Sequence, residues 1–339
     1  MNAAAFHVKP QTSVERKEFY QRLRGNNSAP LWEVLGQIIT PEPRPASVPV
    51  VWRYEEVRAL LMESGELISA EEAERRVLML VNPGLRDASQ ITQSLFAGLQ
   101  LVMPGEITSS HRHSATALRF VIEGEGAYTT VNGDRVTMQP GDLILTPSWT
   151  HHDHGNPSSR PVIWLDGLDI PIVNLFDASF AERTGETQST TDDGGHLLPL
   201  DSRPDRIALP FFSYPYSHSR PALEKMRSSS ALHPCHGIKM QFINPATGAY
   251  ATPTIGAFLQ LLPSGFRGAT YRSTDATVFC VAEGQGRSLV GENSLEWGEH
   301  DIFVVPSWCP VTHEARQESV LFSFSDRPAQ KALGLWRED

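Results

Sequence analysis

Cysteine is scarce in this 339-residue chain: Cys235, Cys280 and Cys309 are odd in number and lack a Cys-x-x-Cys spacing. That argues against a disulfide framework or a cysteine zinc site and predicts reduced thiols in a cytoplasm. No apolar run approaches the ~18 residues of a membrane span. Met1–Gln11 also lacks the apolar centre of a signal peptide. Basic charge is short, with 29 Lys and Arg against 39 Asp and Glu, a net charge of −10. Even the densest charged stretch, Glu71–Arg76, mixes both signs, so neither nucleic acid nor membrane is expected as a partner. What is present is globular material, 40% hydrophobic and 20% charged, enough for two medium domains or one large one.

The first ninety residues read as helices and connectors. Thr12-x-x-Glu15 is a capping-box pattern before Arg16–Leu23, and Pro30 opens a second helix through Leu35. Pro41, Pro43, Pro45 and Pro49 make a stiff connector. Tyr54–Met62 reads as helix, and Ser69-x-x-Glu72 caps another expected to contain Arg75 and Arg76. From Ile91 the period changes to strands. The stretch Tyr128–Met138 alternates around Asn132-Gly133, a strong hairpin signal, and Pro140-Gly141-Asp142 turns into the strand Leu143–Thr146. Glycine and proline between Gly105 and Pro161 come too often for helices, which predicts an all-β sandwich or barrel.

An internal repeat sets the organisation. Phe120-Val-Ile-Glu-Gly-Glu-Gly126 aligns with Cys280-Val-Ala-Glu-Gly-Gln-Gly286, and Gly141–Trp149 aligns with His300–Trp308. Two similar β domains follow. The expected layout is a helical and extended segment at 1–90, a metal-binding domain at 91–175, a connecting arm and loop at 176–250 and a second β domain at 251–339. Within the connector, Thr184–Gly195 reads as a mobile loop and Phe211–Tyr216 as an aromatic packing piece or arm. Gly124-x-Gly126 and Gly284-x-Gly286 are not nucleotide loops, because no helix follows either.

The residues that carry chemistry are Gly105-x5-His111-Arg-His113 and, after the hairpin, Pro147-x-Trp149-x2-His152-x3-Asn156. These resemble the two signature motifs of the cupin superfamily. The resemblance implies a bicupin, two double-stranded β-helix barrels of jelly-roll type with an N-terminal helical segment. It also puts His111, His113 and His152 around one metal ion. The glutamate that most metal cupins carry after the HxH pair is missing, since Ala117 and Leu118 stand there and Arg119 follows. Three neutral imidazoles leave a divalent charge uncompensated, which favours a doubly anionic chelator such as an aromatic acid with an ortho hydroxyl. Arg119 suits that guest's carboxylate.

A narrower likeness comes from Ser110–Gly124 with Thr146–Gly155, supported by Glu74–Gly84 and Ala97–Glu106. These stretches resemble the gentisate 1,2-dioxygenase family, which includes salicylate and 1-hydroxy-2-naphthoate dioxygenases. The resemblance implies Fe(II) on His111, His113 and His152. It assigns contacts with bound substrate to Arg119 and His154, and polar groups near its carboxylate to Gln100 and one of Arg75 or Arg76. Phe96 and Gly98 fall where the family shapes its pocket, and Asp166 is expected to orient a ligand or His154. His151, by strand alternation, points away. In the second domain the ligand positions become Tyr271, Ser273 and Val311, with His313 matching His154, so no metal is expected there. The implied reaction opens gentisate with O2 to maleylpyruvate in a cytoplasmic homotetramer. The alternatives are a salicylate, substituted-salicylate or 1-hydroxy-2-naphthoate dioxygenase, a non-oxidative metal cupin (decarboxylase or isomerase), and a small-acid binding protein.

Overall fold

The computed structural model of the chain describes residues 14–184, 187–188, 213–245 and 247–339. It divides into two compact units, one ending at Arg44 and one running from Pro45 to Asp339. In the first, helices Val14–Gly25 and Leu31–Ile38 are joined through side chains: Trp32 Nε1 donates to the Tyr20 hydroxyl at 3.0 Å, and Tyr20 donates to Glu33. Thr12 of the expected capping box lies outside the described residues.

The second unit is mostly β-sheet with some helices. One six-stranded sheet runs Ser213–Tyr214, Leu143–Thr146, Ala117–Glu123, Val162–Leu168, Phe96–Val102, Val77–Met79. A five-stranded sheet runs Ala181–Arg183, His111–His113, His152–Gly155, Tyr128–Val131, Asp134–Thr137. The later half repeats the theme, with a six-stranded sheet centred on Thr277–Glu283 and Ser319–Ser325 and a three-stranded sheet of Asn293–Trp297, Gly286–Val290 and Val311–Ala315. The early strand Val50–Trp52 joins the later six-stranded sheet by pairing with Ile302–Val305.

Local sequence explains most of these elements. Asn132 and Gly133 take φ of 50° and 95°, as a two-residue hairpin turn with both central residues left-handed requires. Leu143–Thr146 is a strand with the expected bounds, buried throughout. The helix expected to contain Arg75 and Arg76 is corrected: only Ala70–Ala73 is helical, with Ser69 Oγ accepting from the Glu72 N–H at 3.1 Å. Glu74 takes φ 52° and ends the turn. The chain must extend at once, because Val77 pairs with Gln100 in the sheet, and sheet pairing overrides helix propensity here. The expected loop Thr184–Gly195 lies largely outside the described residues. The connecting segment also holds a helix, Tyr216–Ser229, that its composition hides behind serines and an internal Pro221.

The two six-stranded sheets share a core. Phe120 stacks on Phe322 with ring centroids 4.2 Å apart and planes 3° from parallel, both side chains buried. Gly167 permits this approach, because a Cβ there would lie 2.8 Å from the Phe324 ring. Removing a buried phenylalanine costs about 3–5 kcal/mol through lost contacts and the cavity left behind. Phe322→Ala is therefore expected to lower unfolding stability by that amount in urea titrations; a loss below about 1 kcal/mol would show that the stack does not join the two sheets energetically.

Candidate metal centre

Strand alternation places His111 and His113 on one face of their strand, and the pairing of His111 with His152 brings the third ring beside them. The turn before His152 is fixed in both directions. Trp149 takes φ 62°, its N–H donates to the His113 carbonyl at 2.8 Å, and Arg112 lies over its ring. One nitrogen from each of the three histidines lies within 4.8 Å of the others. Ring centroids are 4.1 Å apart for His111 and His152, 4.9 Å for His113 and His152, and 5.3 Å for His111 and His113. His151 stands aside, its N–H on Asn132 Oδ1.

The ring orientations leave donors for a cation. Nδ1 of His113 meets the Ala115 carbonyl at 2.7 Å and Nδ1 of His152 meets the Thr150 carbonyl at 3.0 Å. A carbonyl can only accept, so each Nδ1 carries the proton and each Nε2 offers its lone pair. Nε2 of His152 is buried without a partner. Burial, then the Arg75 charge, lowers the His111 pKa to about 3, and burial with the Arg119 charge lowers that of His152 well below the usual value. The rings are thus neutral at pH 7, as ligation requires. Three imidazoles with no carboxylate among them suit a divalent first-row metal.

Cationic side chains gather around the rings. Arg119 is buried, donating to Thr146 Oγ1 and standing 3.5 Å from Asp166. Arg75 donates to His111 Nδ1 and, at 2.9 Å, to the Ser109 carbonyl. Arg76 points elsewhere: it is buried in a two-point pair with Glu106 at 2.8 and 2.9 Å. Gln100 is buried on the strand opposite Val77, its Nε2 unpartnered. Phe96 is half-buried two residues before Gly98, where a Cβ would stand 2.5 Å from Val77 Cγ1.

The structure gives Asp166 a different setting from the one expected. All four histidine Nδ1 atoms have other partners, the fourth being His154 Nδ1, 2.9 Å from the Thr129 hydroxyl. Asp166 instead faces Arg119 and accepts from Trp164 Nε1 at 3.0 Å. It orients the arginine and touches no imidazole nitrogen. Sequence reasoning missed Thr129 and Thr146. The repeat carries the signal for Thr129, because Ser288 Oγ meets His313 Nδ1 at 2.8 Å in the same relation.

The cupin domain family matches residues 98–168. Gentisate 1,2-dioxygenase 1 of Aquipseudomonas alcaligenes is 53% identical over 343 residues, spanning 98% of this chain and 99% of that protein. The chain belongs to the gentisate 1,2-dioxygenase family. 5-Aminosalicylate 1,2-dioxygenase of a Comamonas species is 36% identical, spanning 92% of this chain and 87% of that relative. The crystal structure of salicylate 1,2-dioxygenase from Pseudoaminobacter salicylatoxidans, an adduct with gentisate, superposes with a TM-score of 0.90 at 34% identity, spanning 98% of this chain and 95% of that one. In this family setting the three-histidine cluster is a metal site.

Asp166 also gives the site a pH signature. Burial raises its carboxyl from 3.8 to about 6, although Arg119 pulls the other way. The native state therefore holds this proton more tightly than the unfolded chain. The group's contribution to stability is full below 3.8 and is lost as pH rises to about 6. Relative to Asp166→Asn, the wild type is expected to lose urea stability across that window; parallel profiles for the two proteins would refute the raised carboxyl.

Proposed function

We propose that this protein is a gentisate 1,2-dioxygenase, opening gentisate with O2 to maleylpyruvate at a ferrous centre held by His111, His113 and His152. The observation that carries the reading is a cluster of three imidazoles with no carboxylate, flanked by Arg75 and Arg119 and set in a chain 53% identical to a gentisate dioxygenase. Imidazole donors suit iron as well as other first-row metals, and the dioxygenase relatives favour iron. Bound there, ferrous iron would supply the template and the electron path that let a singlet ring react with triplet dioxygen.

This chain's residues do the rest. Arg75 holds the substrate carboxylate: that group is a stronger acceptor than the His111 imidazole it now meets, so the guest draws the guanidinium to itself and leaves Nδ1 of His111 free to carry its proton. Arg119, kept in place by Asp166 and Thr146, adds a second positive charge toward the same anion. His154 is buried, with its pKa well below the usual value through burial and then Arg119, and its Nε2 is unpartnered. A neutral ring there accepts a hydrogen bond from the ortho hydroxyl at Nε2. Thr129 can donate to or accept from Nδ1, which permits either tautomer. Gln100 lends its unpartnered amide N–H to the carboxylate, and Phe96 with Gly98 and Val77 bounds the ring. Arg76, tied to Glu106, is a positioning residue for the strand that carries Val77.

The two halves of the sheet region are read as two cupin barrels, at 91–175 and 251–339, preceded by the helical segment 1–90 and joined by 176–250. The second is assigned packing and subunit association within a cytoplasmic homotetramer. Among the described residues no helix is long and apolar enough to cross a membrane.

The test is anaerobic reconstitution with Fe(II), addition of gentisate, and an oxygen trace once air is admitted. Stoichiometric oxygen uptake with maleylpyruvate formation is expected, and a flat trace over an occupied iron site would refute the reading. His113→Ala is expected to lose both metal and turnover. Comparing kcat/KM for gentisate, salicylate and 1-hydroxy-2-naphthoate ranks the ring preference. Loss of one charge-assisted contact costs about 1.5–3 kcal/mol, so Arg75→Ala should raise KM for gentisate about tenfold to a hundredfold. Arg76→Ala should chiefly lower the melting temperature. The opposite pattern would reassign the carboxylate contact.

A further inference from the structure

We propose that the interior of the later β region, residues 251–339 with the strand Ile238–Gln241, binds a small monovalent anion beside Lys239, where the earlier region gathers imidazoles for a cation. The correspondence can be read from the pairing. Tyr271 bridges Val311 as His111 pairs with His152. Lys239 lies opposite Gln260 as Val77 lies opposite Gln100. The repeat thus keeps the glutamine and the hydroxyl-bonded histidine, removes the ligands and brings in an ammonium.

Lys239, Arg327, His236, His313, Tyr271 and Asp275 line one inner cavity. Its acid is already engaged: Asp275 accepts from Arg327 Nε at 3.1 Å and from Trp336 Nε1 at 2.9 Å. Among the described residues Lys239 has no hydrogen-bonded or ion-paired carboxylate. Its ammonium stands 4.8 Å from the Phe258 ring centre and 6.0 Å from that of Phe279. Arg272, a third cation of the lining, is paired with Asp339 at 2.7 Å. With the histidines neutral, Lys239 and Arg327 then meet one carboxylate, a surplus of one positive charge in a half-buried space. A charge drawn partly out of water without a partner is costly, and a counter-anion offsets that cost.

Unsatisfied donors point the same way. His236 Nδ1 is buried without a partner, and so is the amide Nε2 of Gln260, on the strand facing Lys239. Burial lowers the Lys239 pKa to about 8, which still leaves it protonated at neutral pH. The cavity has room for a water-sized guest, and so for a halide-sized ion. A surplus of one charge likewise selects a monovalent guest, and it repels a metal cation.

The experiment uses bromide as the probe. Crystals of the full-length protein grown in sodium bromide are measured at the bromine absorption edge, for the wild type and for Lys239→Met, which keeps the length of the side chain without its charge. An anomalous peak in the cavity of the wild type, lost in Lys239→Met, is expected. A wild-type cavity without a peak, or a peak equally strong in the variant, would overturn the proposal. Should Lys239→Met fail to fold, the wild-type map alone decides, since a peak within contact of the ammonium supports the assignment and its absence rejects it.

Discussion

The structure of the centre depends on a concentration of positive and neutral donors that no acid of the metal cluster offsets. Backbone carbonyls take Nδ1–H of His113 and His152, and burial keeps the rings uncharged. Two arginines stand close by. Asp166, the acid beside Arg119, is occupied by that arginine and the Trp164 indole. A divalent ion in such a place keeps its full charge, and the deficit can be met only from outside the polypeptide. The substrate is thereby specified by electrostatics before any question of ring shape arises: it must be an anion that chelates, and better a dianion than a monoanion. A glutamate at position 117 or 118 would satisfy the metal and weaken that demand.

The internal repeat separates what the scaffold needs from what the chemistry needs. Pro-Ser-Trp turns recur with tryptophans at φ 62° and 60°, each N–H on the carbonyl of the paired strand, His113 in one case and Ser273 in the other. Arg112 and Arg272 cover those tryptophans at 4.5 and 4.6 Å. The hydroxyl-to-histidine contact recurs as Thr129 with His154 and Ser288 with His313. A non-glycine residue held at positive φ in both copies is a sign of geometric necessity, because the conformation is uncommon without support. These features build the wall and the corner. The ligand positions are free to change on that frame, and they have changed.

Much of this was legible in the sequence because it depends on local rules. Asn132-Gly133 dictates its hairpin, period two puts His111 and His113 together, and the offset repeat announces two β halves. Less legible was whatever a distant strand decides. Arg75 and Arg76 look interchangeable in a capped helix, but the pairing of Val77 with Gln100 ends that helix after one turn and sends them apart, one to His111 and one to Glu106. The partner of Asp166 is hidden for a similar reason. Strand alternation shows which way it faces, but its partner is set by the register Asp166 to Arg119 across two strands, which no local pattern reveals. The helix Tyr216–Ser229 was hidden because a proline and several serines mask a segment stabilised by packing, with Leu223 buried.

The contact between Arg75 and His111 ties these threads together. A guanidinium cannot accept, so while it donates to Nδ1 that ring keeps its remaining proton on Nε2, the nitrogen a metal would use. The other two rings, held by carbonyls, are already in the ligating tautomer. Two-thirds of the ligand set is therefore fixed by backbone and one-third by an arginine side chain whose preferred partner is a carboxylate. In the proposed enzyme, substrate and metal then reinforce each other at a single residue: the acid that neutralises Arg75 also restores His111 as a donor. Coupling of that kind follows from placing an arginine, not a carbonyl, behind one ligand, and it gives the missing glutamate a second consequence, because a glutamate ligand would hold the metal whether or not a substrate had arrived.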